Sequence, residues 1–94
     1  MVIGVFSIDI YIPQCRSLKE KRKIIKGMKE SLRNRYNVSI AEVEHQHLWQ
    51  RAKLTVVSVS NQKKKVEQIF SSILNFIEGN GHCELSQVKT EFII

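Results

Sequence analysis

Residues 16–36 read RSLKEKRKIIKGMKESLRNRY, a run whose spacing fits one long amphipathic helix. Ser17 followed by Glu20 forms a capping box, in which each side chain accepts the backbone N–H of the other residue. At 100° per residue, Leu18, Ile24, Ile25, Met28, Leu32 and Tyr36 share one arc of about 120°. Lys19, Arg22, Lys23, Lys26, Lys29 and Arg33 fill a second arc beside it. Asn37 is expected to end the helix in the left-handed conformation. Gly27 costs about 1 kcal/mol against Ala inside a helix, so it is expected to mark a close approach of another backbone. Lys21 falls in the apolar arc. It is expected to snorkel past the core to the end of the sheet.

This helix carries nearly all of the positive charge. Nine basic residues (Arg16, Lys19, Lys21, Arg22, Lys23, Lys26, Lys29, Arg33, Arg35) face two acids, Glu20 and Glu30, a local charge of +7 in a chain whose total is +6. Such a balance favours a polyanionic partner: RNA, DNA or an anionic membrane surface. The competing explanation is a solvated cationic face with no partner. Ninety-four residues make one domain, 1–94, with a single core. No apolar run approaches the roughly 20 residues that span a bilayer. No charged segment leads into a signal-type apolar stretch, and the two cysteines, Cys15 and Cys83, are too far apart in sequence to form a disulfide framework. The expected location is the cytoplasm.

Outward from the helix, the chain alternates between strand and helix patterns. Val2 to Ile12 reads as a strand with Val2, Gly4, Phe6, Ile8, Ile10 and Ile12 on one face and Ile3, Val5, Ser7, Asp9 and Tyr11 on the other. Pro13 stops it. Val38 to Glu44 and Ala52 to Ser60 read as second and third strands around a loop, His45 to Arg51, although neither strand's pattern reveals its buried face. Asn61 is the expected cap of a second helix, Gln62 to Glu78, whose exposed Lys63, Lys64 and Lys65 oppose the helix dipole. Gly79-Asn80-Gly81 breaks that helix, and Glu84 to Ile93 is the last strand. The order β-α-β-β-α-β predicts a ferredoxin-like α+β sandwich, an antiparallel four-stranded sheet of order 4-1-3-2 with both helices on one face.

Three stretches carry a family resemblance: MVIGVFSIDIYIP (1–13), SLKEKR (17–22) and NVSIAEVEHQHLWQRA (37–52). Together they resemble the YlxP-like family of small, uncharacterised bacterial cytoplasmic proteins. The resemblance implies a ferredoxin-like fold. It also implies a gene between those for a translation initiation factor and ribosome-binding factor A, a neighbourhood that suggests ribosomal work. The chain departs from the family at His47, where an acid is usual.

The chemistry-bearing residues each have a plainer structural role available. Three loops, Pro13 to Ser17, His45 to Arg51 and Gly79 to Cys83, are expected to gather at one end of the sheet, bringing His45, His47, His82, Cys15 and Cys83 together. No local pair has zinc-finger spacing, so no metal site is expected. Cys15 precedes a helix N-terminus but lacks a recognisable base and third group. Asp9, with Glu91, raises a metal-dependent nuclease, the weakest alternative, because phosphodiester chemistry needs metal held by several oxygens. The RNA-recognition-motif mode needs aromatics on strands one and three, and AKLTVVSVS has none. Trp49 is expected to plug a gap between loop and sheet edge, and His45 to organise the loop.

The expected function is therefore that of an RNA-binding accessory protein, associated with the ribosome or its assembly, with no enzymatic activity, metal or cofactor. Arg16, Lys19, Arg22, Lys23, Lys26, Lys29 and Arg33 are expected to face phosphates, with Gln46, Gln50 and Arg51 adding contacts from the loop. His45 and Trp49 mark a loop motif without an assigned role. The alternative from another class is a homodimeric protein–protein module, motivated by the apolar end of the open sheet face.

Overall fold

Alternating burial along β1 (Val2–Tyr11) organises the structure, a computed structural model that describes residues 1–93. Val2, Gly4, Phe6, Ile8 and Ile10 are buried, while Ile3, Val5, Ser7 and Asp9 lie half-exposed on the opposite face. The elements that follow are α1 (Leu18–Arg35), β2 (Ser39–Glu44), β3 (Arg51–Ser60), α2 (Lys63–Glu78) and β4 (Glu84–Ile93). All three strand pairings are antiparallel, and the order across the sheet is β2-β3-β1-β4. Counted from the β4 edge it reads 4-1-3-2. One apolar cluster joins the inner faces of the strands to Ile25, Met28 and Leu32 of α1 and to Val66, Phe70, Ile73 and Ile77 of α2. The architecture is a ferredoxin-like α+β sandwich with both helices on one face.

The burial of β3, open from sequence, follows from its register with β1. Phe6 pairs with Val56 and Ile8 with Leu54, so Ala52, Leu54, Val56 and Ser58 turn inward. Ser58 is tolerated in the core because its hydroxyl donates to the Asn37 carbonyl at 2.9 Å. On β2, Ile40 turns inward and Glu42 follows it on the same side, until a register shift between Glu42 and Glu44 ends the regular ladder. β4 pairs with β1 alone and is largely exposed, anchored by half-buried Leu85 and Phe92. Phe6 stacks on Phe70 at 4.6 Å, and Phe92 tilts against the same ring.

Several local expectations are corrected. The Ser17 hydroxyl does accept the Glu20 N–H at 3.1 Å, but the Glu20 carboxylate accepts the N–H of Arg16, not of Ser17. Tyr36, in extended conformation, caps α1, so Asn37 is not its left-handed terminator. The side chain of Asn61 does not cap α2; Gln62 holds that position without a side-chain bond, and Ser60 accepts its N–H. Apart from its own helix, nothing lies within 4 Å of where a Cβ on Gly27 would stand, so no other backbone approaches there. Close approach occurs instead at Gly4, and by side chains, since a Cβ there would collide with Val66 Cγ1 and the Phe70 ring. The three lysines that open α2 are exposed, as the dipole demands, and Lys63 lies 4.8 Å above the Phe92 ring.

Candidate functional site

The cationic face of α1 is the first part of the site. Arg16, Lys19, Arg22, Lys23 and Lys26 are exposed, and Lys29 is half-buried. Among the described residues none of these six forms an ion pair; the pairs involve Lys21, Lys53, Lys89 and His45. Arg33 is different. Its guanidinium donates to the Ile40 carbonyl of β2 at 2.7 Å, tying the end of α1 to the sheet edge and shortening the stripe expected from sequence. Arg35, also at that end, covers the Phe76 ring at 4.7 Å.

The hairpin loop 45–50 is the second part, and it is anchored at both ends. Lys21, 1% exposed, does reach the end of the sheet, yet its ammonium meets protein groups and not water. It donates to the His45 carbonyl at 2.5 Å and lies 2.8 Å from Glu42 Oε2. The pair is close, although it is not aligned as a hydrogen bond, and no other donor reaches that buried oxygen. His45 turns its carbonyl inward by adopting φ 66°, the left-handed region, and the same carbonyl accepts the Leu48 N–H at 3.0 Å. At the far end of the loop, Gln50 accepts the Ile12 N–H at 2.7 Å. Its side-chain amide donates to the Pro13 carbonyl at 3.0 Å and to that of Cys15 at 3.4 Å. Gln50 thus serves as a brace, where the sequence pointed to a phosphate contact. Gln46 and Arg51 are exposed as that reading requires.

This bracing corrects the expectation for Trp49. Its indole plugs nothing: it is 51% exposed, beside Tyr11 at 37%. The two residues, with His47, Leu48, Gln50 and Arg51, line a cleft of about 530 Å³. Tyr11 entered from the sheet because its parity points to the open face, where β1–β3 register sets it opposite Arg51. That parity is visible in the sequence, but nothing local ties Tyr11 to the loop. Glu42, the partner of Lys21, was missed as well; its one signal was a lysine standing in an apolar arc.

The three loops do converge. Pro13, Gln14, Cys15, Gln50 and His82 border one hollow with Arg16 and Glu20. The thiols within this end are closed: Cys15 is buried and donates to the Ser17 carbonyl at 3.3 Å, while burial pushes the Cys83 thiol up to about 11. Asp9 and Glu91 share a small cleft on the open face, but Lys53 and Lys89 line it too, and their ammonium groups oppose a cation there. Asp9 Oδ1 sits 3.9 Å from His45 Nε2, beyond direct hydrogen-bond range.

Known proteins resemble this chain in sequence and in fold. The chain is 32% identical over 91 residues to Bacillus subtilis (strain 168) "Uncharacterized protein YlxP", spanning 97% of this chain and 99% of that one. Among solved structures, the de novo designed protein Foldit4 matches with a TM-score of 0.56 at 14% identity, covering 100% of this chain and 98% of the design. At that identity the match speaks for the fold alone. The family model described as "Protein of unknown function (DUF503)" matches residues 3–90. A family match over residues 3–90 and a relative 32% identical over nearly the full length of both chains place this chain in the DUF503 family of YlxP-like proteins.

Proposed function

We propose that this protein binds RNA through the cationic face of α1, as an accessory of the ribosome or its assembly. The observation that carries the reading is a row of exposed cations, Arg16, Lys19, Arg22, Lys23 and Lys26, free of ion pairs among the described residues. An isolated surface cation is ordinary. Four on one face of α1, spaced by three and four, with Arg16 just before the N-cap, form a track suited to successive phosphates. The ribosomal context is supported by the gene neighbourhood that the family resemblance implies. Arg33 and Gln50 are withdrawn from the contact set because their polar groups hold the fold together. Each phosphate neutralised should steepen the salt dependence of binding by about 0.7 log units per log unit of salt for single strands, 0.9 for duplex. Changing Lys19, Arg22, Lys23 and Lys26 together to Glu is expected to abolish binding at moderate salt and flatten that slope. Unchanged binding by the folded variant, or no RNA binding by the wild type at low salt, overturns the reading.

A second reading, a homodimeric interaction module, is favoured by the far end of the open face. There Ile3 pairs with Val59 and with Ile93, and Val5 with Val57, so the register gathers five aliphatic side chains into one patch. Val59 and Ile93 are exposed. On this reading sedimentation gives the dimer mass, and Val59→Glu restores the monomer. Monomeric mass across a wide concentration range counts against it. The two readings are compatible, since a dimer doubles the cationic surface.

A further inference from the structure

We infer that the cleft between Tyr11 and Trp49 takes one unpaired nucleobase of single-stranded RNA, stacked on the indole. The inference rests on the RNA-binding reading and names what that reading leaves open: a contact with a base in addition to phosphates. Three observations converge on it. The first is an aromatic surface left open. Among the described residues the aromatic rings that pair are Phe6, Phe70 and Phe92, all in or against the core, so neither Tyr11 nor Trp49 spends its face on another ring. Leu48 beside them is also exposed, and the resulting cleft is mainly apolar.

The second observation is rigidity. An exposed tryptophan on a loose hairpin would be unremarkable, but this loop is fastened at both ends. The Lys21 ammonium and the Leu48 N–H converge on the His45 carbonyl, and Gln50 makes three bonds to the 12–15 segment. A buried lysine is a costly anchor, and an anchored aromatic loses little entropy when it binds. The third is charge. Arg51 lines the cleft, directly across the sheet from Tyr11, and Gln50 borders both this cleft and the hollow that contains Arg16. A strand following the α1 track past Arg16 would therefore reach the cleft with its phosphates still neutralised. Base–aromatic stacking tolerates any base, so this site confers a preference for unpaired RNA over duplex rather than for sequence.

The test uses the full chain and short unstructured RNA. Trp49 is the sole tryptophan, so its emission reports on the cleft alone. Binding is followed separately, by anisotropy of a labelled oligonucleotide. Quenching of Trp49 on binding is expected, together with a loss of affinity of about 5- to 150-fold in Trp49→Ala and near-wild-type affinity in Trp49→Phe. An oligonucleotide of the same length with abasic nucleotides should bind the wild type as weakly as normal RNA binds Trp49→Ala. The salt slope should survive in Trp49→Ala, because phosphate contacts remain. Salt-dependent binding with unchanged Trp49 emission, and equal affinity for Trp49→Ala, overturns the stacking site while leaving the phosphate track in place. Absence of anisotropy change at low salt overturns both.

Discussion

Lys21→Met is expected to destabilise the protein by about 3–5 kcal/mol, and the double change Lys21→Met with Glu42→Leu to restore most of that loss. The methionine keeps the stem that fills the space under α1 but removes the ammonium. Glu42 Oε2 is then left buried with no positive charge and no hydrogen bond, since Lys21 at 2.8 Å is its neutralising contact. The His45 carbonyl loses its buried donor at the same moment. A residue other than Gly at φ 66° persists because surrounding bonds favour it, so that backbone should relax when the donor goes. For a chain of this size the single variant should melt about 12–40 °C below the wild type, taking about 4–8 °C per kcal/mol. Replacing both partners by apolar groups removes the stranded charge, which is why the pair should tolerate what the single change does not. A single variant within 1 kcal/mol of the wild type in urea titration, or a double variant no better than the single, would show that Lys21 and Glu42 do not form a coupled pair.

That pair also shows where sequence reading stops. β1 was legible because one face is wholly apolar and the other turns polar, leaving a single way to lay it on a core. α1 was legible for a similar reason, with its cap. β2 and β3 were legible as strands, but their buried faces were not, since each mixes polar and apolar residues on both faces. Ser58 goes inside because Asn37 offers a carbonyl, and Val57 and Val59 face out because β1 fixes the register. Those causes are tertiary and leave no local pattern. The site divides in the same way. A stripe of cations follows from helical spacing, so Lys19 to Lys26 could be placed. The uses of Arg33, Gln50 and Lys21 depend on which carbonyl happens to stand across a gap of a few ångströms, 7, 35 and 24 residues distant in sequence respectively. Trp49 was misplaced because a large aromatic is usually buried, and nothing local reveals that the loop is already braced without it.

Gly4→Ala is the other substitution with a large expected effect, about 1–3 kcal/mol of destabilisation from a single added methyl group. Gly4 stands on the buried face of the central strand, with Ser58 opposite on β3 and Phe92 opposite on β4. A Cβ there would collide with Val66 Cγ1 and come within 2.8 and 2.9 Å of two atoms of the Phe70 ring. Neither neighbour can yield cheaply. Val66 is fully buried on a helix and stiff at χ1, and Phe70 is held in its stack with Phe6. The alternatives are to push α2 away from β1 or to force an off-rotamer side chain, and a close-packed interior resists both. The cause can be isolated. Val66→Ala alone leaves a cavity and should destabilise, but in a Gly4→Ala background it removes the nearest of the three clashing atoms and opens space into which the Phe70 ring can shift. The double variant should therefore be more stable than the sum of the two single effects predicts, by about 0.5–3 kcal/mol in a double-mutant cycle. Chemical denaturation of the four proteins measures this coupling. Additive effects, or a Gly4→Ala variant as stable as the wild type, would mean that α2 does not rest on β1 as closely as the packing of Gly4 requires.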